Sequence, residues 1–217
     1  MNESTSKKYE NILQISRCVI GIDLTGSEKK ASGWAALKEG YAVTQRILTD
    51  SELIYETLKF DPVLISMDSP LTLPKGRISV YDDDPGRHIY GINRECERLM
   101  AKRGIRSYPP LIRSMQKLTL RGILLAKEFR ALGIEVIESF PGGAQDILGF
   151  ARKQKDLIAF INALSDMGIQ GSFESAKVSH DEIDALTSAL VGCFYLSGQY
   201  DALGNPEEGY LILPSLW

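Results

Sequence analysis

Cysteine and histidine are scarce in this chain, three and two residues out of 217. Cys18, Cys96 and Cys193 are odd in number and far apart, which excludes a disulfide framework and a zinc knuckle. No apolar run approaches the roughly 20 residues of a membrane span, and residues 1–11 are polar, so neither a transmembrane helix nor a signal peptide is expected. Internal repeats and low-complexity tracts are missing. So is a strong charge of one sign: a net charge of −3 gives no global attraction to nucleic acid. These absences point to a soluble, reduced, cytoplasmic protein. What is present is ordinary globular material, 44% hydrophobic and 24% charged, long enough for one domain with a sizeable core.

The small net charge hides an uneven distribution. From Arg94 to Arg130, ten Lys or Arg stand against three Glu, a local +7 that leaves −10 for the rest of the chain. Such asymmetry marks a face suited to a polyanion. Arg94, Arg98, Lys102 and Arg106 recur every four residues, and Arg113, Lys117 and Arg121 repeat that spacing. The two rows read either as solvated helix faces or as phosphate contacts. Tyr81 and Tyr108 have rings able to stack on bases, though no regular aromatic pattern accompanies them.

Apolar patterning predicts an α/β chain. Residues 1–16 read as a polar arm and 17–217 as one domain. Val19–Leu24 is a buried strand. Gly33–Lys38 and Tyr41–Leu48 form a hairpin about Glu39-Gly40. A helix runs from Asp50 or Ser51 to about Lys59. Val63–Met67 is a second buried strand, ending at Asp68. Residues 69–112 hold no strand but several prolines and the run Asp82-Asp83-Asp84, which predicts an irregular insertion with one helix over Asn93–Lys102. A helix from about Ser114 to Leu132 precedes a third buried strand, Ile134–Ile137, that ends at Glu138. Helices follow at 144–150 and 153–167. Ser179 and Glu182 form a capping box for a last long helix, whose Ile183, Leu186, Leu190, Cys193 and Phe194 make an apolar stripe. A short strand, Tyr210–Leu213, closes the chain.

The chemistry lies in where the acids fall. Val19-Ile20-Gly21-Ile22-Asp23 is an apolar run that closes on a carboxylate, and desolvation makes that costly unless the acid meets a cation or a polar ligand. Asp23, Asp68 and Glu138 each end a buried strand, and parallel strands gather such ends along one edge. Asp181 and Asp184 stand three apart on the last helix and so share a face. Carboxylates at that density favour Mg²⁺ or Mn²⁺, and two such ions can activate water against a phosphodiester. Taken singly, each acid has a plainer reading. Asp23 and Asp68 suit turns, Glu138 suits an ion pair with a nearby arginine, and Asp181 suits the helix macrodipole.

Strand, hairpin, helix, strand, helix, strand, with acids at the first and fourth strand ends and on the final helix, resembles the RNase H-like fold. The pair Asp181/Asp184 is similar to the paired acids on the final helix of RuvC-type resolvases. More closely, the chain resembles domain-of-unknown-function family 429, whose members are predicted RNase H-fold nucleases. The motifs that carry this are Gly21-Ile22-Asp23, Gly33-Trp34-Ala35, Met67-Asp68-Ser69-Pro70-Leu71 and Arg94-Glu95-Cys96-Glu97-Arg98-Leu99, followed by Glu138-Ser139-Phe140-Pro141, His180-Asp181-Glu182-Ile183-Asp184-Ala185 and Glu208-Gly209-Tyr210. Together they span nearly the whole chain. The resemblance implies a metal-dependent nuclease acting on nucleic acid or a nucleotide. Asp23, Asp68 and Asp184 would be the metal ligands, Glu138 or Asp181 would orient water, and Arg94, Arg98, Arg106 and Ser27 would hold substrate. RuvC-type enzymes carry Glu where this chain has Asp68, one methylene shorter.

Two other readings share the fold. In the actin and sugar-kinase group, a turn like Asp23-Leu24-Thr25-Gly26-Ser27 cradles nucleotide phosphates, and Gly142-Gly143 offers a second nest. Those proteins use two such domains, so a homodimer would have to supply the other half. The third reading is a catalytically silent binding module.

Overall fold

Val19–Asp23 is apolar on both faces, the pattern of a strand covered on both sides. In the computed structural model, which describes residues 9, 11–150, 156–175 and 177–216, it is β1, an inner strand of an eight-stranded mixed sheet. The other strands are β2 (Ser32–Lys38), β3 (Tyr41–Ile47), β4 (Leu64–Asp68), β5 (Glu135–Ser139), β6 (Gln170–Gly171), β7 (Tyr200–Asn205) and β8 (Gly209–Pro214), and the spatial order is β6-β3-β2-β1-β4-β5-β8-β7. β1, β2 and β3 pair antiparallel, whereas β1, β4 and β5 pair parallel. With helices on both faces, this is the RNase H-like arrangement expected from the sequence.

The helices are α1 (Asp50–Leu58), α2 (Arg87–Tyr90), α3 (Glu95–Lys102), α4 (Gln116–Ala131), α5 (Pro141–Leu148), α6 (Leu157–Asp166) and α7 (His180–Leu196). Thr49 caps α1 and Ser179 caps α7, each in a full capping box with the Glu three residues on. α5, α6 and α7 cover one face, where Val19, Leu64 and Ile137 meet Ala144, Phe160, Leu164 and Leu186. α1 and α4 cover the other, with Ile20, Ile22, Ile65 and Met67 against Leu53, Leu125 and Phe129. α3 packs Cys96 and Met100 on Leu203, Leu211 and Leu213 of β7 and β8. Among the described residues, no helix is long and apolar enough to cross a membrane.

One feature sets the geometry of the α7 face. A Cβ on Gly21 would lie 1.9 Å from the Ala185 carbonyl oxygen, and one on Gly33 would lie 2.0 Å from that of Asp181. A Cβ on Gly192 would lie 2.5 Å from Val19 Cγ1. Glycine therefore lets α7 lie backbone-to-backbone on β1 and β2, running antiparallel to β1.

Three expectations need correction. Residues 1–16 are not simply a loose arm: Tyr9, Ile12 and Leu13 are buried in the core beneath α7, while residues 1–8 and 10 lie outside the described residues. The last helix before α7 spans Leu157–Asp166, and residues 151–155 lie outside the description. The closing strand has an unforeseen partner, β7. Its Asp201, Gly204 and Asn205 are poor strand formers, and Gly204 (φ 135°) is there because a Cβ would meet the Gly209 carbonyl at 2.2 Å.

Gly21→Ala should lower unfolding free energy by about 3 kcal/mol, because the clash is with helix backbone and no side chain can yield. Urea denaturation compared with Gly26→Ala, where a Cβ meets nothing nearer than 3.6 Å, checks this.

Candidate functional site

β1 and β4 pair in parallel with Asp23 opposite Asp68. In-register residues on adjacent strands project to the same face at a spacing of about 4.8 Å. That face is the one under α7, since Asp23 and Asp68 share the parity of Val19, Gly21 and Leu64. Both acids are half-buried. The first turns of α7 lie over them: Asp181 abuts Gly33, the register partner of Asp23, and Ala185 abuts Gly21. Asp184 accepts a hydrogen bond of 2.7 Å from Gln145 Nε2, which also reaches Thr187 Oγ1 at 3.3 Å. Gln145 is buried on α5, directly after β5, so it fixes Asp184 on the β4–β5 side of α7. Asp23 and Asp68 thus lie at the strand ends that the first turns of α7, which carry Asp181 and Asp184, cross. Gln145 had no signal in the sequence.

Glu138 goes elsewhere. Its register partner is Met67, so it projects to the opposite face from Asp68. There it is 5% exposed and fully engaged. Its Oε2 accepts from Leu71 N at 2.8 Å and from Arg94 Nη1 at 2.7 Å, and its Oε1 accepts from Arg94 Nη2 at 2.5 Å. Arg94 also donates through Nη2 to Glu97 Oε1 at 2.6 Å, and its backbone N–H reaches Glu97 Oε2 at 2.6 Å. The plainer reading of Glu138, an ion pair with a nearby arginine, is the one realised. Arg94 likewise departs from its expected role: it is 1% exposed, with its guanidinium turned onto two carboxylates rather than toward a phosphate.

Cys96, Glu97 and Glu138 bring ligand atoms within 4.8 Å of one another, a spacing that suits a metal. The cation there is Arg94. Burial opposes its charge, but Glu138 and Glu97 hold its pKa well above the ordinary value. Burial also pushes the Cys96 thiol up, away from the thiolate that binds soft metals. The group is a buried ion-pair cluster.

The other basic residues divide. Arg121 is buried and donates to Asp50 Oδ1 at 2.7 Å and to the Thr25 carbonyl at 2.7 Å, tying the turn after β1 to α1 and α4. Thr25 Oγ1 is itself bound to the Ser27 and Lys30 carbonyls, so this turn is closed on itself, with Ser27 exposed at its tip. A Cβ on Gly142 or Gly143 would lie 3.0 or 2.9 Å from the Phe140 ring, which accounts for glycine there by packing. Arg98 is exposed and pairs with Glu95 at 2.9 Å, and Arg106 is exposed. Glu208, quoted in the sequence without a role, is buried and accepts from Glu95 N at 2.5 Å and Lys75 N at 2.7 Å, so it caps α3. Burial pushes its pKa up, but these amides and Arg98 hold the carboxyl below the usual range.

Two depressions adjoin Tyr108, one reaching the strand ends and one within the insertion. One, of about 180 Å³, is lined by Asp68, Ser69, Arg94, Glu138 and Tyr108. The other, of about 780 Å³, is lined by Asn93, Arg98, Arg106 and Tyr108.

Arg94→Met should cost about 3–5 kcal/mol of stability, because it strands two buried carboxylates; thermal and urea unfolding measure it. Glu208→Gln should lose about 2 kcal/mol at pH 7, the worth of hydrogen bonds to a charged acceptor. Since the folded pKa lies below the unfolded one, this stability is present above about pH 4.3 and fades as acid protonates the folded carboxylate. The two proteins should therefore converge in stability as the pH falls toward 3.

No family model and no curated protein matches this sequence, so the likeness to family 429 rests on the motifs alone. Among solved structures, the RuvC structure from Thermus thermophilus is similar to this chain at 14% identity and a TM-score of 0.45, covering 83% of this chain and 96% of that one.

Proposed function

We propose that the protein is a metal-dependent nuclease that hydrolyses phosphodiester bonds at the edge carrying Asp23, Asp68, Asp181 and Asp184. The observation that carries this is the in-register pair Asp23/Asp68 at the carboxyl end of two parallel strands. A fold pays electrostatically to set two carboxylates side by side, and a bound cation offsets that cost. The motif likeness to family 429 supports the same reading.

The donors are carboxylate oxygens, which fit Mg²⁺ or Mn²⁺. Asp23, Asp68 and Asp184 would be the residues that hold it. The metal would supply an activated water and neutralise charge on the phosphoryl oxygens. Asp181, one turn before Asp184, would orient the attacking water. Glu138 has no part in that step, because Arg94 and the Leu71 amide occupy its oxygens. Gln145 positions Asp184 through its hydrogen bond. Arg98 and Arg106 remain as the phosphate-facing cations of the first basic row, while Arg94 is a positioning residue.

Calorimetric titration of Mn²⁺ without any nucleic acid should show saturable binding to the wild type that is lost in Asp23→Asn. The variant should melt no lower than the wild type, because the substitution relieves repulsion between Asp23 and Asp68. Equal binding in both proteins would remove the carboxylates from the reading.

A further inference from the structure

Tyr108 is 74% exposed, and it lines both depressions. On one side is Asp68, and on the other are Arg98 and Arg106. The backbone that carries the ring is anchored on both sides. Ile105 and Leu111 are buried on either side of it, Pro109 and Pro110 restrict the backbone that follows, and the Pro110 carbonyl accepts from Thr119 Oγ1 at 2.7 Å. Among the described residues, no ring–ring contact engages it.

We infer that Tyr108 is the stacking platform of a nucleotide subsite, and that the ligand is single-stranded or otherwise unpaired nucleic acid. This rests on the nuclease reading above and names its substrate class. An aromatic face between a carboxylate edge and two arginines matches the order of a nucleotide chain: a phosphate at the acids, a base at the ring, and further phosphates at the guanidiniums. A base inside a duplex has both faces covered by its neighbours, so only an unpaired or splayed base can present a face to a side-chain ring. The smaller depression suits part of a nucleotide, whereas the larger lies within the usual range for a ligand site, about 300–1,000 Å³. Stacking tolerates any base, so the subsite selects strandedness rather than sequence.

The test is binding in EDTA, where hydrolysis is off, using a twelve-nucleotide oligothymidine with one central 2-aminopurine and the same strand annealed to its complement. Wild type should bind the single strand, quench 2-aminopurine and prefer single strand to duplex. Tyr108→Ala should bind about tenfold more weakly and lose the quench, as removal of one stacking contact predicts. Tyr108→Phe should retain both, and all three should melt alike because the ring is exposed. Equal affinity and quench in wild type and Tyr108→Ala would overturn the subsite and leave the nuclease reading standing. Tighter binding of duplex would overturn it equally. Failure of the wild type to bind any strand would also overturn it, and the metal titration, which contains no nucleic acid, would then decide the carboxylate reading separately.

Discussion

The contact on which the rest of this structure depends is the backbone-to-backbone seat of α7 on β1 and β2. Gly21, Gly33 and Gly192 remove three Cβ atoms at the crossing, and the helix settles where side chains would otherwise hold it off. Two consequences follow at once. The amino-terminal turns of α7, which carry Asp181 and Asp184, arrive at the carboxyl-terminal end of β1, where Asp23 and Asp68 pair in register. The strands' parity is also fixed, because whatever points at α7 on β1 must do so on β4 and β5 by register. Asp68 and Glu138 end neighbouring strands, yet they face opposite sides for this reason.

The opposite side solves a different problem. The insertion between β4 and α4 has little apolar mass of its own, with α3 leaning on β7 and β8. Ionic and amide contacts hold it instead. Arg94 joins α3 to β5 through Glu138, and Glu208 joins the start of α3 to the β7–β8 turn. Within the loop, Arg77 and Asp84 form a buried pair. Burial pushes Asp84 up, but the Ser79, Ile78 and Gly86 amides together with Arg77 hold its carboxyl well below the usual range. Buried pairs of this kind return little net stability against desolvation, but they are costly to break halfway. Their effect is to define where the loop sits, and so where Tyr108 and Arg106 stand relative to Asp68.

How far the sequence discloses this depends on the kind of signal. β1 and β4 were legible because a short, mainly apolar buried run ending in an acid has few other homes, and α7 because its capping box and stripe agree. The face of each acid was not legible, since parity is set by register and register is a property of the pair. The basic rows misled for a geometric reason. A spacing of four drifts about 40° per step around a helix, so Arg121 is buried one step after the exposed Lys117, and Arg113 precedes the helix that begins at Gln116. Arg94 is the N-cap residue of α3, not a member of its surface face, and its side chain turns back onto the sheet.

That outcome changes what the local charge of +7 means. Arg94 and Arg121 are buried in ion pairs, and Arg98, Arg103 and Arg113 are each matched with an acid. The field that reaches solvent is much weaker than the sequence count suggests, and each cation lost from the surface removes a phosphate contact and its counterion release. Long-range attraction to a duplex backbone is therefore not how this surface selects a ligand. On the reading proposed above, recognition would rest on short-range features: two carboxylates in register, an exposed ring on an anchored backbone, and the exposed Arg106. A nuclease site of that kind would gain most from a substrate that places one unpaired base and one phosphate correctly, and little from a long, stiff polyanion.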